Sequence, residues 1–202
     1  MPGRLLIATH NAGKVHEISA LLAGTPWECV GLPDGTPDFP EDGSTFAENA
    51  RGKALFYADL VQLPALADDS GLIIDALGGE PGVYSARYID PTITQEERNR
   101  GVLAKLAETP TALRTARFTC HLVLATGPQV VHETTGNCEG VITAGAHGDG
   151  GFGYDPIFRP AGEERTFAQI DRDEKARLSH RGHAVRAMID FLQTWDPGIG
   201  VS

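Results

Sequence analysis

The hydrophobic residues at the start of the chain form a short apolar run followed by a helical repeat. The run from Leu5 to Ala8 predicts a buried strand. Apolar residues then recur at helical spacing, which places them on one face of a helix, and Gly24 is a natural end for that helix. The residues of this apolar face are Val15, Ile18, Leu21 and Leu22. The chain therefore opens with a strand followed by a helix.

More helices are predicted from apolar spacing and from the residues that begin them. Thr45 and Glu48 have the spacing of a capping box, in which a threonine and a glutamate bond each other's backbone amide groups. Thr94 and Glu97 repeat this pattern. The predicted helices run from about residue 45 to 60, from about 94 to 107, and from about 179 to 195. Pro- and Gly-rich composition predicts loops at residues 31–44 and 144–153.

Strand patterns occupy the middle of the chain. Alternating polar and apolar residues at 118–124 predict a strand with one buried face, and residues 130–139 would return beside it as a hairpin. Residues 65–67 and 72–76 predict two further strand pieces. Because strands occur both with helical crossovers and as a hairpin, we predict an α/β fold in which helices flank a mixed sheet. The length fits a single domain over residues 1–202, with room for two lobes.

Composition excludes one class of partner. Of the 202 residues, 41% are hydrophobic and 22% are charged, which is ordinary for a globular protein. The formal net charge is −10, whereas a general DNA- or RNA-binding surface needs a basic face to displace counterions. We therefore expect no nucleic acid partner. A small polyanionic substrate stays open, because a local group of Lys and Arg side chains can attract it.

Cysteine usage and the first residues suggest a location. The three cysteines lack zinc-type spacing, and their simplest interpretation is reduced thiols in a cytosolic protein. The apolar run after Arg4 is too short for a secretion signal, and no run approaches the ~18 apolar residues of a membrane helix. We expect a soluble, cytoplasmic protein with no membrane contact.

Asp68 and Asp69 stand side by side in an otherwise apolar stretch. A carboxylate is costly to bury unless it is paired, hydrogen-bonded or bound to metal, and two adjacent carboxylates also repel each other. At a strand end leading into a turn at Gly71, one could hold a hard cation while the other braces the loop. The alternative is that Asp68 caps a turn and Asp69 is solvated.

An acidic loop could supply a second ligand for the same cation. Glu41 and Asp42 precede the helix that begins near Thr45. Oxygen ligands from Glu41 and Asp69 would suit Mg²⁺, which keeps several waters and relies on one or two carboxylates plus substrate phosphates. The alternative is a solvated acidic loop. No group of His and Cys residues in the sequence has the spacing of a zinc site.

The segment Thr9 to Lys14 joins the first predicted strand to a helix N-terminus. Free backbone amide groups and the helix dipole make such a junction suitable for an anion, and Lys14 adds positive charge. The segment is not a Walker A loop, which needs a longer Gly-rich run before its lysine. The alternative is an ordinary strand-to-helix turn with Asn11 as the N-cap.

Two later segments combine unusual residues. Glycines surround Phe152 and Tyr154, an arrangement that suits ring stacking on a flat base, although aromatic side chains lie more often in a core. Lys175 and the segment Ser179 to Gly182 place basic residues at the start of the last helix, where acids are preferred. The alternative is a basic patch that pairs with the acids at 171–174.

Six short motifs occur in an order that resembles a known family. They are Thr9-His10-Asn11-Ala12-Gly13-Lys14, Thr45-Phe46-Ala47-Glu48-Asn49-Ala50, Ala67-Asp68-Asp69-Ser70-Gly71-Leu72, Gly82-Val83-Tyr84-Ser85-Ala86-Arg87, Gly151-Phe152-Gly153-Tyr154-Asp155-Pro156 and Ser179-His180-Arg181-Gly182. Together they are similar to the inosine triphosphate pyrophosphatase family, also called the HAM1 or RdgB-type noncanonical purine nucleoside triphosphatases. The resemblance spans almost the whole chain.

The resemblance implies a fold, an assembly and an activity. The fold would be an elongated α/β structure with a long mixed sheet and a central cleft between two lobes, and the assembly would be a homodimer. The activity would be hydrolysis of ITP, dITP and XTP to the nucleoside monophosphate and pyrophosphate. This reaction would remove these nucleotides from the pool, with Mg²⁺ as the cofactor.

The resemblance also implies roles for single residues. Asp69 would be the proton acceptor, Glu41 and Asp69 would hold the metal, and Asp68 would brace the metal-binding loop without touching the metal. The substrate contacts would be Thr9, His10, Asn11, Ala12, Gly13, Lys14, Ser70, Phe152, Gly153, Tyr154, Asp155, Lys175, His180 and Arg181.

Other functions fit the sequence less well than nucleotide hydrolysis. Maf-like pyrophosphatases share a related fold and reaction but act on other nucleotides, and the segment Ser179 to Gly182 favours the purine interpretation. A nucleotide-sensing module would bind without hydrolysis, but it would gain nothing from Glu41, Asp68 and Asp69 beside a phosphate. Ser70 lies in Asp-Asp-Ser-Gly rather than in a nucleophile elbow, which argues against a serine hydrolase. No coiled-coil heptad indicates an interaction protein.

Overall fold

The computed structural model describes residues 3–196, so residues 1, 2 and 197–202 of the predicted domain lie outside the described residues. The strands are β1 (Gly3–Ile7), β2 (Trp27–Val30), β3 (Ala65–Ile74), β4 (Thr115–Thr126), β5 (Gln129–Ile142) and β6 (Phe158–Pro160). The α-helices are α1 (Ala12–Leu21), α2 (Phe46–Val61), α3 (Gln95–Lys105), α4 (Arg172–Leu178) and α5 (His180–Leu192). Within residues 3–196, every helix is too short or too polar to cross a membrane.

The strands form one mixed sheet in the order β2-β1-β3-β4-β5-β6. β1 runs parallel to β2 and to β3, with Leu5 opposite Cys29 and Leu6 opposite Ala65. β5 runs antiparallel to β6, with Val141 opposite Arg159. Parallel neighbours need a crossover connection, and α1 and α2 lie in the connections from β1 to β2 and from β2 to β3. The prediction of an α/β fold with a mixed sheet flanked by helices is confirmed.

The chain divides into two compact units. Among the described residues, unit 1 comprises 3–69, 120–136 and 181–196, and unit 2 comprises 70–119 and 137–180. The predicted cleft between two lobes stays a prediction. Each unit has its own buried hydrophobic residues.

Unit 1 has apolar residues on both faces of its strands. Leu122 of β4 packs with Ile18 of α1 and Val185 of α5, whereas Val123 packs with Ala54 of α2 on the other face. Neighbouring side chains of a strand point to opposite faces, so one strand serves both layers. This layering explains why β4 is apolar at consecutive positions from Leu122 to Ala125.

Unit 2 is built around an aromatic group. The ring of Phe118 lies edge-on to that of Phe158, with centroids 4.7 Å apart, and Phe158 lies 5.3 Å from Phe167. Val102 and Leu106 of α3 are fully buried against the same cluster. Each of these aromatic rings buries a large apolar area.

Four elements differ from the sequence prediction. The aspartate pair lies inside one continuous ten-residue strand, β3, rather than at a strand end between two pieces. Both carboxylates can be buried in a strand because each lies close to a positively charged side chain. The predictions missed β2, β6 and α4, because they span only four, three and seven residues and give little periodic signal.

The predicted helix starts are largely correct. Thr94 and Glu97 form the complete capping box at α3. At α2 the Thr45 hydroxyl accepts from the Glu48 amide, but the Glu48 carboxylate bonds Ser44 rather than Thr45. The second half of the predicted box at α2 is therefore wrong by one residue.

Candidate active site

The loop between β1 and α1 keeps backbone groups accessible at a helix N-terminus. Asn11 is the N-cap of α1, and its side chain accepts from the Lys14 amide at 3.1 Å. The Asn11 N-cap, predicted as the alternative, is therefore present, and His10, Asn11 and Ala12 are exposed. His10 is exposed and pairs with Asp38 at 3.4 Å. A cavity of about 490 Å³ adjoins the loop, lined by Thr9, His10, Ala12, Val15, His16, Ser19, Gly31 and Leu32.

Asp68 and Asp69 are both buried, with exposed fractions of 1% and 5%. The alternative in which one caps a turn and the other is solvated is therefore wrong. Because neighbours in a strand point to opposite faces, the two carboxylates have different partners. Asp68 faces α1 and α5, whereas Asp69 faces α2.

Asp68 forms ion pairs with two cations, of which Arg181 is buried and Lys14 is partly exposed. It pairs with the ammonium of Lys14, and its Oδ2 lies 3.2 Å from Nε of Arg181. The thiol of Cys120 donates to the same oxygen at 3.0 Å. Burial alone raises the pKa of Asp68, but the charges of Arg181 and Lys14 outweigh it and hold this pKa well below its usual range. Asp68 is therefore a fixed negative charge.

Arg181 also binds a second acid from α1. Its Nη1 lies 2.5 Å from Oε2 of Glu17, and the guanidinium is almost fully buried. Lys14 and Glu17 are three residues apart on α1, so one helix face supplies a cation and an anion to the same network. Two carboxylates and two cations balance in this group, which satisfies the requirement that buried charges be paired.

Asp69 shares a lysine with the acidic loop. The ammonium of Lys53 forms an ion pair with Glu41 and lies 3.9 Å from Oδ1 of Asp69. The side-chain amide of Asn49 donates to Oδ2 of Asp69 at 3.1 Å. Burial raises the pKa of Asp69 to about 6 against the pull of Lys53 and Lys14, and the charges of Glu41 and Asp68 add to the rise. Such a carboxylate can exchange a proton near neutral pH.

The donors around Asp69 suit a hard divalent cation. Glu41 and Asp69 are oxygen ligands that already converge on one positive group, the ammonium of Lys53. Among residues 3–196, no three His, Cys, Asp or Glu side chains are arranged as a complete metal cage. Two carboxylates without a full cage fit Mg²⁺, which takes its remaining ligands from water and substrate phosphates.

Unit 2 brings together another part of the predicted set. Asp155 Oδ2 accepts from the Lys175 ammonium at 2.6 Å and from the Phe152 amide at 2.7 Å. The Lys175 ammonium also lies 4.6 Å from the centre of the Phe152 ring. Gly151 has a φ of +69°, and a Cβ there would lie 2.1 Å from Oδ2 of Asp155, so only glycine fits this turn. The loop is closed tightly around one carboxylate.

Of the other predicted substrate contacts in unit 2, Tyr154 and His180 are buried and Ser70 is partly exposed. The Tyr154 ring belongs to the core, with its hydroxyl donating to the Ser85 carbonyl at 2.8 Å. Base stacking therefore suits Phe152 and not Tyr154. His180 is stacked on Phe118 with centroids 4.7 Å apart. Ser70 is partly exposed in β3.

The basic patch expected at the last helix has different partners. Lys175 pairs with Asp155, and Arg181 pairs with Asp68 and Glu17. Asp171 instead caps α4 by accepting from the Glu174 amide. Lys175 and Arg181 therefore have acidic partners outside residues 171–174.

Sequence reasoning missed four residues that contact the predicted set. These are Glu17, Asn49, Lys53 and Cys120. One signal for two of them was available, since Asn49 and Lys53 share the helical face of the buried Ala50, Ala54 and Tyr57. Polar residues on an apolar helix face need buried partners, and here the partner is Asp69.

A family model described as the Ham1 family matches residues 5–191. The chain belongs to the Ham1 family. The family resemblance expected from the six motifs is thereby confirmed. The Ham1 model covers both units, so it includes the Asp68–Asp69 strand and the Phe152–Asp155 loop alike.

Full-length relatives and solved structures agree with Ham1 membership. The chain is 45% identical to the dITP/XTP pyrophosphatase of Geobacter sulfurreducens, covering 94% of this chain and 96% of the relative. It is 45% identical to the dITP/XTP pyrophosphatase of Thermus thermophilus, covering 98% and 96%. The solved structure of a HAM1 protein from Coxiella burnetii superposes with a TM-score of 0.87 at 38% identity, covering 96% of this chain and all of the other.

Proposed function

We propose that this chain hydrolyses noncanonical purine nucleoside triphosphates, namely ITP, dITP and XTP, to the monophosphate and pyrophosphate. The observation that carries the proposal is the buried Asp69 carboxylate, which shares Lys53 with Glu41 in a chain of the Ham1 family. The relatives named dITP/XTP pyrophosphatase support the same substrate class. A buried carboxylate with a raised pKa beside a cation is typical of acid–base chemistry.

Asp69 acts in this proposal as the base. It accepts a proton from a water molecule that attacks the α-phosphorus, and pyrophosphate leaves. Burial raises the pKa of Asp69, which makes its carboxylate a stronger base than an exposed aspartate. Asn49 fixes the carboxylate by donating to Oδ2, which leaves Oδ1 directed at the reaction. Asp68 keeps its charge and acts only as the anchor of Lys14 and Arg181.

Glu41 and Asp69 hold Mg²⁺ in this proposal. The bound metal would neutralise charge that develops on the phosphate oxygens. Lys53 lies next to both carboxylates and would add positive charge beside the phosphates of a bound substrate. The segment Thr9 to Lys14 binds the phosphates through backbone amide groups at the start of α1.

The purine ring of the nucleotide is recognised in this proposal by residues of the Phe152–Asp155 loop together with Lys175, His180 and Arg181. Phe152 is partly exposed and offers a ring face for stacking. Inosine and xanthine carry a 6-oxo acceptor where adenine carries a 6-amino donor. Donors from His180 or Arg181 would be left facing a donor in ATP, and such mismatches can cost on the order of 10⁴ in selectivity.

The enzyme works in this proposal as a cytoplasmic homodimer. The assembly is tested by light scattering after size-exclusion chromatography, where a mass of twice 21.5 kDa is expected. A monomeric mass at the concentrations used for kinetics would contradict the homodimer and leave the reaction untouched.

A nucleotide panel tests the function. ITP, dITP, XTP, ATP, GTP, dTTP and UTP are compared with Mg²⁺ and with EDTA, and both the nucleotide product and the released phosphate are identified. We expect IMP, dIMP or XMP with pyrophosphate, only in the presence of metal. Preference for dTTP or UTP would favour a Maf-like enzyme, and tight binding without turnover would favour a nucleotide sensor.

A further inference from the structure

A buried asparagine of α3 reaches the loop that carries Phe152 and Asp155. The side-chain amide of Asn99 donates to the carbonyl of Gly153 at 3.1 Å, and only 6% of Asn99 is exposed. Both residues belong to unit 2. None of the six sequence motifs includes Asn99.

The orientation of this amide is fixed by a chain of donors along one face of α3. Arg98 Nη1 lies 3.1 Å from Oε1 of Gln95, and a guanidinium can only donate. Gln95 must therefore present its oxygen to Arg98 and its nitrogen to Oδ1 of Asn99, at 3.0 Å. The nitrogen of Asn99 is then left for Gly153, so the direction of every bond follows from the arginine.

Arg98 is itself held in place by neutral backbone groups. Its Nε lies 3.0 Å from the carbonyl of Tyr88, and its Nη2 lies 3.0 Å from the carbonyl of Asp90. Only 4% of Arg98 is exposed, although among the described residues no carboxylate forms a salt bridge with it. The chain of bonds that ends at Gly153 therefore starts from a rigid anchor.

Gly153 is the turning point of the loop. Its φ is +64°, and it lies between Phe152, whose amide donates to Asp155, and Tyr154, whose hydroxyl binds the Ser85 carbonyl. The loop backbone is thus fixed on the Asp155 side and on the Tyr154 side. Asn99 supplies a further attachment between them, at the carbonyl of the Gly153–Tyr154 peptide.

We propose that Asn99 is a positioning residue, which holds the Gly153 peptide so that the Phe152 ring is preset for the purine base. The proposal rests on the proposed role of the Phe152–Asp155 loop in base recognition. Asn99 touches no reacting group, so its loss should weaken binding of the base and leave the phosphate chemistry of Asp69 intact.

The test uses full-length Asn99→Asp and Asn99→Ala with ITP and Mg²⁺. Asn99→Asp keeps the shape of the side chain but replaces the donor by an acceptor, and Asn99→Ala serves if the first variant does not fold. We expect KM for ITP to rise about ten-fold, the loss expected of one hydrogen bond, with kcat within about two-fold. Hydrogen exchange of the amides at 150–155 should become faster in both variants.

Two parallel variants make the outcomes separable. Asn137→Ala removes an asparagine of β5 whose side chain accepts from the Thr119 hydroxyl, and it should match the parent in KM and in exchange at 150–155. Phe152→Ala tests the proposed base contact itself and should raise KM by at least about ten-fold.

Each result decides one question. Raised KM in the Asn99 variants with kcat retained supports the positioning role. Unchanged KM there, with raised KM in Phe152→Ala, overturns the role of Asn99 and leaves the base site standing. Unchanged KM in Phe152→Ala overturns the base-site assignment, and the role of Asn99 falls with it. Loss of kcat with unchanged KM would mean that Asn99 is merely structural.

Discussion

The ammonium group of Lys53 forms an ion pair with the carboxylate of Glu41. The same ammonium lies 3.9 Å from Asp69 and donates to the backbone carbonyl of Asp68 at 3.2 Å. A helix residue that is almost fully buried therefore joins the acidic loop to the aspartate strand. This one cation lies beside both carboxylates that we assign to the metal.

Replacing Lys53 tests whether this cation contributes to the reaction. Lys53→Met keeps the length of the side chain and removes its charge, so a fixed positive group next to the phosphates is lost. We expect kcat/KM for ITP to fall by roughly 10²-fold, the size of effect found when one preorganised charge donor is removed. The measurement is the steady-state rate of pyrophosphate release. Lys105→Met, at an exposed pair with Glu80, should behave like the parent.

Asp69→Asn tests the base directly. The amide has the same shape but cannot take a proton, so we expect kcat to fall by at least about 10³-fold with a normal circular dichroism spectrum. The variant should be no less stable than the parent, because a buried charge is replaced by a neutral group. Asp75→Asn, just after the same strand, is the matched control and should retain full activity. Parental turnover in Asp69→Asn would exclude Asp69 as the base.

Asp68→Asn is expected to affect stability more than any surface aspartate does. It leaves Lys14 and Arg181 without the carboxylate that pairs with both of them. Removal of one partner from a buried ion pair costs about 3–5 kcal/mol, and we expect a loss of that size in the free energy of unfolding in urea. Asp42→Asn on the exposed loop should change it by less than about 0.5 kcal/mol. A loss below about 1 kcal/mol in Asp68→Asn would contradict the buried network.

The pair of Arg51 and Glu133 gives a prediction about pH. Two nitrogens of Arg51 lie 2.6 and 2.8 Å from the Glu133 oxygens, and His121 lies 2.9 Å away. The bond to Arg51 lowers the pKa of Glu133 against partial burial, and the bond to His121 lowers it further. An acid whose pKa is lowered by folding stabilises the fold above its usual pKa of 4.5, and this contribution is lost as the pH falls below that value.

Glu133→Gln should therefore lower the free energy of unfolding at pH 7. This loss should become smaller as the pH falls below 4.5. The pair is partly exposed, so the loss at pH 7 should be modest, about 0.5–1 kcal/mol. Thermal unfolding of both proteins across this range is the measurement. Glu96→Gln, in an exposed helical pair with Arg100, provides the control with little change at either pH. If the difference in stability between the two proteins grew toward acid pH, the lowered pKa assigned to Glu133 would be contradicted.

The sequence predicted the longer elements, and its assignment of site residues stays a prediction. Apolar residues on one face placed α1 and α5, and the capping-box pattern placed the starts of α2 and α3. Burial of the aspartate pair was foreseen only as one of two alternatives, since Asp-Ser-Gly also favours a turn. Burial of Asp68 is stabilised by Lys14 and Arg181, which are far apart in the sequence. Contacts between distant segments leave no periodic signal in a sequence.

The same reason explains the residues that were missed. Glu17 and Cys120 resemble an ordinary helix glutamate and an ordinary core cysteine until the fold brings them to Arg181 and Asp68. Tyr154 was expected to contact substrate because of its glycine neighbours, but its ring lies in the core and only its loop remains a candidate contact. Local composition could not separate these two outcomes for an aromatic residue.

Isotope labelling tests the central claim most directly. ITP is hydrolysed in H₂¹⁸O with Mg²⁺, and both products are analysed by mass spectrometry. Attack of an Asp69-activated water on the α-phosphorus predicts one ¹⁸O atom in IMP and none in pyrophosphate. Label in pyrophosphate, or release of labelled orthophosphate, would mean attack at another phosphorus and would contradict the account.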